Sequence, residues 1–280
     1  MLVVFLFSLP FYIFAAGCKR ENVRADKLVV AVSILPQKYF VERIAKDKVK
    51  VVVLLPPGRS PEIFEPSVKQ FQEIASAKIY FKVGHPKFPF EANWAKKIEQ
   101  ANKNMKVVSL ADALELSDNN LDPHIWLAPS LVKKELDVLT KALTEQMPAQ
   151  KEFFDKNKKL FIEDIDETIE QIKKIFAKTK LRKFMTFHPA FGYFAKEFGL
   201  EQIAIEKRGK NIDPRHLEQL IGKAKREGIK VIFVQKQFSR KEAREIAKEI
   251  DGEVSEIDPL AEDWLANLKK IAEAFANAMK

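Results

Sequence analysis

The sequence predicts an α/β protein made of two parallel-sheet α/β lobes, joined by one long interlobe helix, with a cleft between the lobes. Apolar strand-like runs alternate with helical patterns, this alternation occurs twice, and an uninterrupted helical pattern separates the two halves. At 280 residues, with 46% hydrophobic and 31% charged residues, the chain is long enough for two domains with full cores.

The helix between the halves is predicted at residues 147–179, where Pro148 is the only proline and glycine is absent. Its apolar residues recur on one helical face: Phe154, Phe161, Ile165, Ile169, Ile172 and Phe176. At about 1.5 Å per residue, roughly 30 residues give a helix of about 45 Å. Such a helix is long enough to run across both lobes.

The N-terminal lobe is expected at residues 27–146 and the C-terminal lobe at residues 180–280. In the first lobe, strands are predicted at 28–33, 49–55, 78–83 and 105–110, and helices at 36–46, 67–76, 91–101 and 130–146. In the second lobe, strands are predicted at 183–187, 202–206, 230–234 and 253–257, and helices at 189–198, 213–227, 240–250 and 261–279. Parallel sheets of this kind bind ligands beyond the carboxyl ends of their strands.

The first 17 residues carry no charge and are mostly apolar, but too short to span a membrane. This pattern is typical of a signal peptide, and the small residues that precede Cys18 resemble the lipobox of bacterial lipoproteins. We expect a signal peptide at 1–17, a lipid on Cys18 and a polar tether at 18–26. The protein would then lie outside the cytoplasmic membrane, in the periplasm or on the outer face. An uncleaved anchor with an unmodified Cys18 is the alternative.

The charge pattern argues against nucleic acid as a partner. The formal net charge is +9, but 48 basic residues are spread among 39 acidic ones, without the basic and aromatic interleaving of single-strand binders. No glycine-rich nucleotide-binding motif is present. Cys18 is the only cysteine, which excludes an intrachain disulfide and a cysteine-based metal site.

Four residues of types that can ligate transition metals follow predicted strands, two in each lobe. Glu62 follows the second strand and His124 lies past the fourth, while His188 directly follows KFMTF and Asp258 directly follows VSEI. Imidazole and carboxylate groups are ligands that zinc, manganese and iron accept. Convergence of these four on one ion is therefore one interpretation. Ordinary loop histidines, with Asp258 capping the last helix, are the other.

Three further polar residues have open roles. His85 follows the third strand and is either a metal or cleft residue or a loop imidazole bonded to a carbonyl. Gln235 ends a strand and either hydrogen-bonds to the site or packs beneath it. His216 lies on a polar helix and is expected at the surface.

Several stretches resemble the zinc/manganese-type solute-binding proteins of bacterial ABC importers: LLPPGRSPEIFEPS, DPHIWLAP, KFMTFHPAFGYFAKEFGL, VIFVQKQFSRKEAREIA and IDPLAEDWLANL. The resemblance runs from about Lys27 to the C-terminus. It implies two α/β lobes joined by a long rigid helix. It also implies that His124, His188 and Asp258 occupy three ligand positions.

At the fourth position that family usually has a histidine, where this chain has Glu62. A ligand set of two imidazoles and two carboxylates is chemically harder than one of three imidazoles and one carboxylate, and it slightly favours manganese or iron relative to zinc. Glu62 could also remain unbound, which would leave the site open or completed by His85.

The resemblance implies an extracytoplasmic receptor and not an enzyme. Such a receptor captures Zn²⁺ or Mn²⁺, with Fe²⁺ as a further option, and delivers it to an ABC permease and its ATPase. We expect a monomer, held at the membrane by the lipid on Cys18. A secreted metal-dependent hydrolase, with Glu62 as a base beside a three-ligand metal, is the alternative, and a surface adhesion protein is a third interpretation.

Overall fold

The computed structural model describes residues 27–116, 122–206 and 213–280. Eight strands are found there: β1 (Leu28–Val32), β2 (Val49–Val53), β3 (Ile79–Lys82), β4 (Lys106–Ser109), β5 (Lys183–Thr186), β6 (Glu201–Ala204), β7 (Val231–Gln235) and β8 (Glu253–Ile257). The α-helices in the same residues are α1 (Leu35–Ala45), α2 (Val68–Ile74), α3 (Pro89–Ala101), α4 (Pro129–Gln146), α5 (Lys151–Phe176), α6 (Gly192–Glu197), α7 (Pro214–Arg226), α8 (Arg240–Glu249) and α9 (Trp264–Ala278).

The strands form two four-stranded sheets of the same topology, with orders β2-β1-β3-β4 and β6-β5-β7-β8. Every strand pair is parallel. The carboxyl ends of each sheet therefore gather at one edge, where open parallel sheets bind their ligands. The predicted fold class is confirmed.

The long helix α5 connects the two lobes and packs against α1 and α4 of the first lobe and α9 of the second. A short 3₁₀ turn (Pro148–Gln150) precedes it. The predicted apolar face is buried except at Ile169, which is only partly buried. Asn157 donates from its side chain to the Ile44 carbonyl at 2.8 Å, which fastens the helix to the end of α1.

The main hydrophobic core is continuous through both lobes and includes residues of α5 and α9. A smaller core lies in the outer part of the second lobe, where residues of β5, β6 and β7 pack against α7 and α8. The lobes therefore share one core around the connecting helix and are not two independently packed bodies.

Helices α6 and α9 each begin three residues later than predicted, and each delay has a local cause. The α6 helix begins at Gly192 and not at residue 189, because the chain first turns back and the N–H of Ala190 donates to the His188 carbonyl at 2.9 Å. The α9 helix begins at Trp264, since the Asp263 side chain accepts the N–H of Ala266 and caps the helix there.

The predicted signal peptide, Cys18 and the tether lie outside the described residues. None of the helices in residues 27–116, 122–206 and 213–280 combines the length and the hydropathy of a membrane span.

Candidate metal centre

The candidate ligands lie at the carboxyl ends of the two sheets, in loops that face each other. Glu62 is in the loop after β2, and His124 lies past β4 at the start of a short 3₁₀ turn. His188 lies just beyond β5, and Asp258 directly follows β8. Each of the four therefore follows the strand after which the sequence analysis had placed it.

Three of the four meet across the boundary between the lobes. His188 Nε2 is 3.7 Å from Glu62 Oε1. The His124 and His188 rings are 5.3 Å apart between centroids, at an interplanar angle of 80°. All three side chains line a small cavity of ≈ 20 Å³ and a neighbouring one of ≈ 430 Å³. The site thus combines one imidazole and one carboxylate from the first lobe with one imidazole from the second.

Each imidazole is oriented by a carboxylate behind it. Asp122 Oδ1 lies 2.6 Å from His124 Nδ1 and also accepts the His124 backbone N–H at 3.0 Å. The buried Glu206 places its Oε2 3.0 Å from His188 Nδ1. An ionised carboxylate only accepts hydrogen bonds, so this arrangement favours the ring tautomer that has its proton on Nδ1. The Nε2 atom of each ring is then the nitrogen with a lone pair for a metal.

His188 is also fixed through its backbone and its ring face. Gln235 Oε1 accepts the His188 N–H at 3.2 Å, and Gln235 Nε2 donates to the His188 carbonyl at 2.7 Å. Gln202 donates to the same carbonyl at 3.4 Å. The ring of Phe238 stacks on the imidazole at 4.6 Å and 22°. Of the two roles left open for Gln235, hydrogen bonding to the site is the one observed.

Asp258 borders the cleft but directs its carboxylate to its own lobe. Oδ1 accepts the N–H of Leu260 at 3.0 Å and the Gln237 side-chain N–H at 3.2 Å, while Oδ2 is 3.6 Å from Lys236 Nζ. The two residues that follow it in sequence line the small cavity. The helix-cap alternative for Asp258 is wrong, because Asp263 caps α9.

His85 is buried in its own loop, where its Nδ1 accepts the N–H of Lys87 at 3.1 Å. Glu91 holds the chain just before it by accepting the N–H groups of Val83 at 2.6 Å and Gly84 at 2.8 Å. Burial raises the pKa of Glu91, although these hydrogen bonds act in the opposite direction. His85 is not among the residues that line the two cavities of the site.

Sequence reasoning missed Asp122, Glu206 and Lys236 as parts of the site. Two of them could have been found from their positions in the sequence. Asp122 stands two residues before His124. Glu206 is a carboxylate at the carboxyl end of a predicted strand, and the same kind of position had identified Asp258.

In the described part of the chain, no group of three or more His, Cys, Asp or Glu side chains is arranged to hold a metal ion. The donors nevertheless match the chemistry of one, since two imidazole nitrogens and a carboxylate oxygen are ligands that zinc and manganese accept. Of the four candidate ligands, Asp258 is the one that lines neither cavity of the site.

Comparison with known proteins gives one consistent result. The family model described as zinc-uptake complex component A, periplasmic (ZnuA), matches residues 30–278. The high-affinity zinc uptake system protein ZnuA of Bacillus subtilis (strain 168) is 26% identical over 276 residues, which cover 89% of this chain and 85% of that protein.

Solved structures agree with the sequence match. A crystal structure of a ZnuA deletion mutant with zinc bound is 36% identical, covers 91% of this chain and 99% of its own, and has a TM-score of 0.86. The laminin-binding protein Lmb of Streptococcus agalactiae, described as a bifunctional protein with adhesin and metal transporting activity, is 27% identical. It covers 90% of this chain and 100% of its own, with a TM-score of 0.81. This chain therefore belongs to the ZnuA family, the periplasmic component A of zinc-uptake complexes, and is a metal-binding receptor for metal uptake.

Proposed function

We propose that this protein captures Zn²⁺ between its two lobes, outside the cytoplasmic membrane, and delivers it to an ABC permease driven by its ATPase. The observation that carries the proposal is the convergence of Glu62, His124 and His188 from both lobes on one cleft. Membership of a zinc-uptake family favours zinc as the cargo.

Each proposed ligand has a defined donor atom. His124 and His188 bind through Nε2, because Asp122 and Glu206 occupy the Nδ1 side of the rings. Glu62 contributes a carboxylate oxygen from a loop, and its side chain is 24% exposed, so it has room to turn toward the ion. Asp258 supplies the fourth ligand through Oδ2 once that oxygen leaves its partner in the second lobe.

Manganese and iron are the competing cargoes. Two carboxylates beside two imidazoles form a harder donor set than three imidazoles, which favours these ions relative to zinc. Zinc accepts both donor sets. The order of affinities for zinc and manganese is therefore the measurement that identifies the cargo.

The remaining parts of the proposal concern location. A lipid on Cys18 would tether the receptor, as a monomer, to the membrane that contains the permease. The hydrolase alternative finds no support in the family match or in the solved relatives.

Calorimetric titration of the full chain with zinc and, separately, with manganese tests the proposed site. Glu62→Ala should weaken binding of the preferred ion, because it removes a ligand. Glu65→Ala is the matched control, since Glu65 is an exposed carboxylate in the same loop. Equal binding by both variants would remove Glu62 from the site, and no binding of either metal by the wild type would overturn the receptor proposal.

A further inference from the structure

Lys236 and Asp258 are brought together by the pairing of two strands. In the register of β7 with β8, Gln235 lies opposite Ile257, and the backbone N–H of Lys236 donates to the Ile257 carbonyl at 3.2 Å. Lys236 directly follows Gln235 at the end of β7, and Asp258 directly follows Ile257 at the end of β8. Their side chains meet with Lys236 Nζ 3.6 Å from Asp258 Oδ2.

The two partners differ in their freedom to move. The Lys236 side chain is 51% exposed and that of Asp258 is 17% exposed. Asp258 Oδ1 is held by the N–H of Leu260 and by Gln237, so Oδ2 is the oxygen that faces the lysine. An ammonium on a flexible four-carbon stem returns to water easily, whereas the carboxylate is restrained where it lies.

We propose that Lys236 is a displaceable counter-ion of Asp258 that competes with the metal for Oδ2 and so limits how tightly and how long the metal is held. The inference rests on the proposed role of Asp258 as a ligand. Among the described residues, Lys236 forms the only lysine or arginine ion pair with any of the four proposed ligands.

Electrostatics gives the size of the effect. A dication and an ammonium about 6 Å apart in a water-like dielectric repel each other enough to change an affinity about tenfold. This repulsion favours movement of Lys236 into solvent as the metal binds Oδ2. The same lysine can return to Asp258 as the metal leaves, which speeds release. A receptor that hands its cargo to a permease needs such release.

The alternative is that the pair acts only on the stability of the fold, as exposed ion pairs do when they act at all. In that case removal of the ammonium would change the free energy of unfolding slightly and leave metal binding alone. Metal affinity and metal dissociation rate therefore separate the two interpretations.

The test uses the full chain, with zinc as the probe, in competition with a chromophoric chelator and in stopped-flow dissociation. Lys236→Met should raise zinc affinity about tenfold, mainly through slower dissociation. Lys225→Met makes the same change of net charge at an exposed position in the last turn of α7 and serves as the control. If both variants bind and release zinc alike, the inference is overturned.

Asp258→Asn separates this inference from the proposed site. If Asp258→Asn leaves zinc affinity unchanged, Asp258 is not a ligand and the counter-ion inference fails, whereas the receptor proposal fails only if the wild type binds no metal. If Asp258→Asn weakens zinc binding while Lys236→Met binds zinc as Lys225→Met does, Asp258 is supported as a ligand and the counter-ion role of Lys236 is contradicted. In the Asp258→Asn background, the gain from Lys236→Met should shrink toward that of Lys225→Met, because the shared oxygen has lost its charge.

Discussion

The indole N–H of Trp264 donates a hydrogen bond to the backbone carbonyl of Trp126 at 2.7 Å. Trp126 lies two residues after His124, and its own indole N–H donates to the carbonyl of Pro259, next to Asp258, at 2.8 Å. Both rings are buried. The two lobes are thus fastened to each other directly beside the proposed ligands.

Loss of this contact should loosen the lobes. Trp264→Phe keeps an aromatic ring but removes the donor, which leaves the buried Trp126 carbonyl without that partner at a cost of about 1–3 kcal/mol. We expect lower stability in urea unfolding and weaker zinc binding. Trp94→Phe is the control, because Trp94 is only partly buried on α3, with Lys97 against its ring. Equal effects of the two substitutions would argue against a fastening role.

The continuous core around α5 predicts limited lobe movement. The helix packs against α1, α4 and α9, so a wide opening would have to break packing in both lobes. Small-angle scattering with and without zinc should show little change in the radius of gyration. A decrease of several ångströms on zinc binding would contradict this expectation and indicate a hinge.

The carboxylate behind His188 should matter for metal binding without being a ligand. Glu206→Gln keeps the shape but removes the charge that favours the Nδ1–H form of the ring, and we expect a loss of zinc affinity of about 10- to 100-fold. Nitrogen NMR of the imidazole should report a changed tautomer balance at His188, which a loss of packing alone would not produce. Glu218→Gln, at an exposed position on α7, is the control. An unchanged affinity would remove Glu206 from the site.

The buried carboxyl of Glu135 should make the stability of the protein depend on pH. Its carboxyl is fully buried on α4, and its Oε1 has no hydrogen-bond partner among the residues that the structure describes. Burial raises the pKa of Glu135 from its ordinary 4.5 to about 8. The folded protein therefore keeps the proton in a range where the unfolded chain releases it. The proton on Glu135 contributes fully to the free energy of unfolding below pH 4.5. This contribution is lost as the pH rises toward 8, by about 1.4 kcal/mol per pH unit.

Glu135→Gln should abolish this dependence, since the amide does not ionise. The free energy of unfolding of the variant, relative to wild type, should rise by about 1.4 kcal/mol per pH unit between about pH 5.5 and 7.5. Glu152→Gln, at an exposed position on α5, should show no such slope. Parallel pH profiles for wild type and Glu135→Gln would show that Glu135 is not protonated in the folded state.

Most of the fold was predictable because its signals are local. The apolar face of α5 repeats at helical spacing, and its buried residues include Phe154, Phe161 and Phe176. Ile169 is only partly buried, whereas Ile165 and Ile172 on the same stripe are fully buried. The end of the helix was predicted three residues late, since residues 177–179 continue as a turn in which Thr179 bonds back to the Phe176 carbonyl.

The site was only partly predictable because its remaining contacts are not local. The strand-end positions of His188 and Asp258 follow from the sequence alone. The pairing of His188 with Glu206 depends on β6 lying next to β5, and the pairing of Lys236 with Asp258 depends on the β7–β8 register. Neither the strand order nor that register is encoded by a pattern that can be read from one sequence.

The four proposed ligands follow four different strands, β2, β4, β5 and β8. A replacement at one of them leaves the backbone that carries the other three intact. The proposed donor set can therefore be altered one residue at a time on the same scaffold. Glu62 is one position where such an exchange would alter the proposed donor set while the other three residues keep their places.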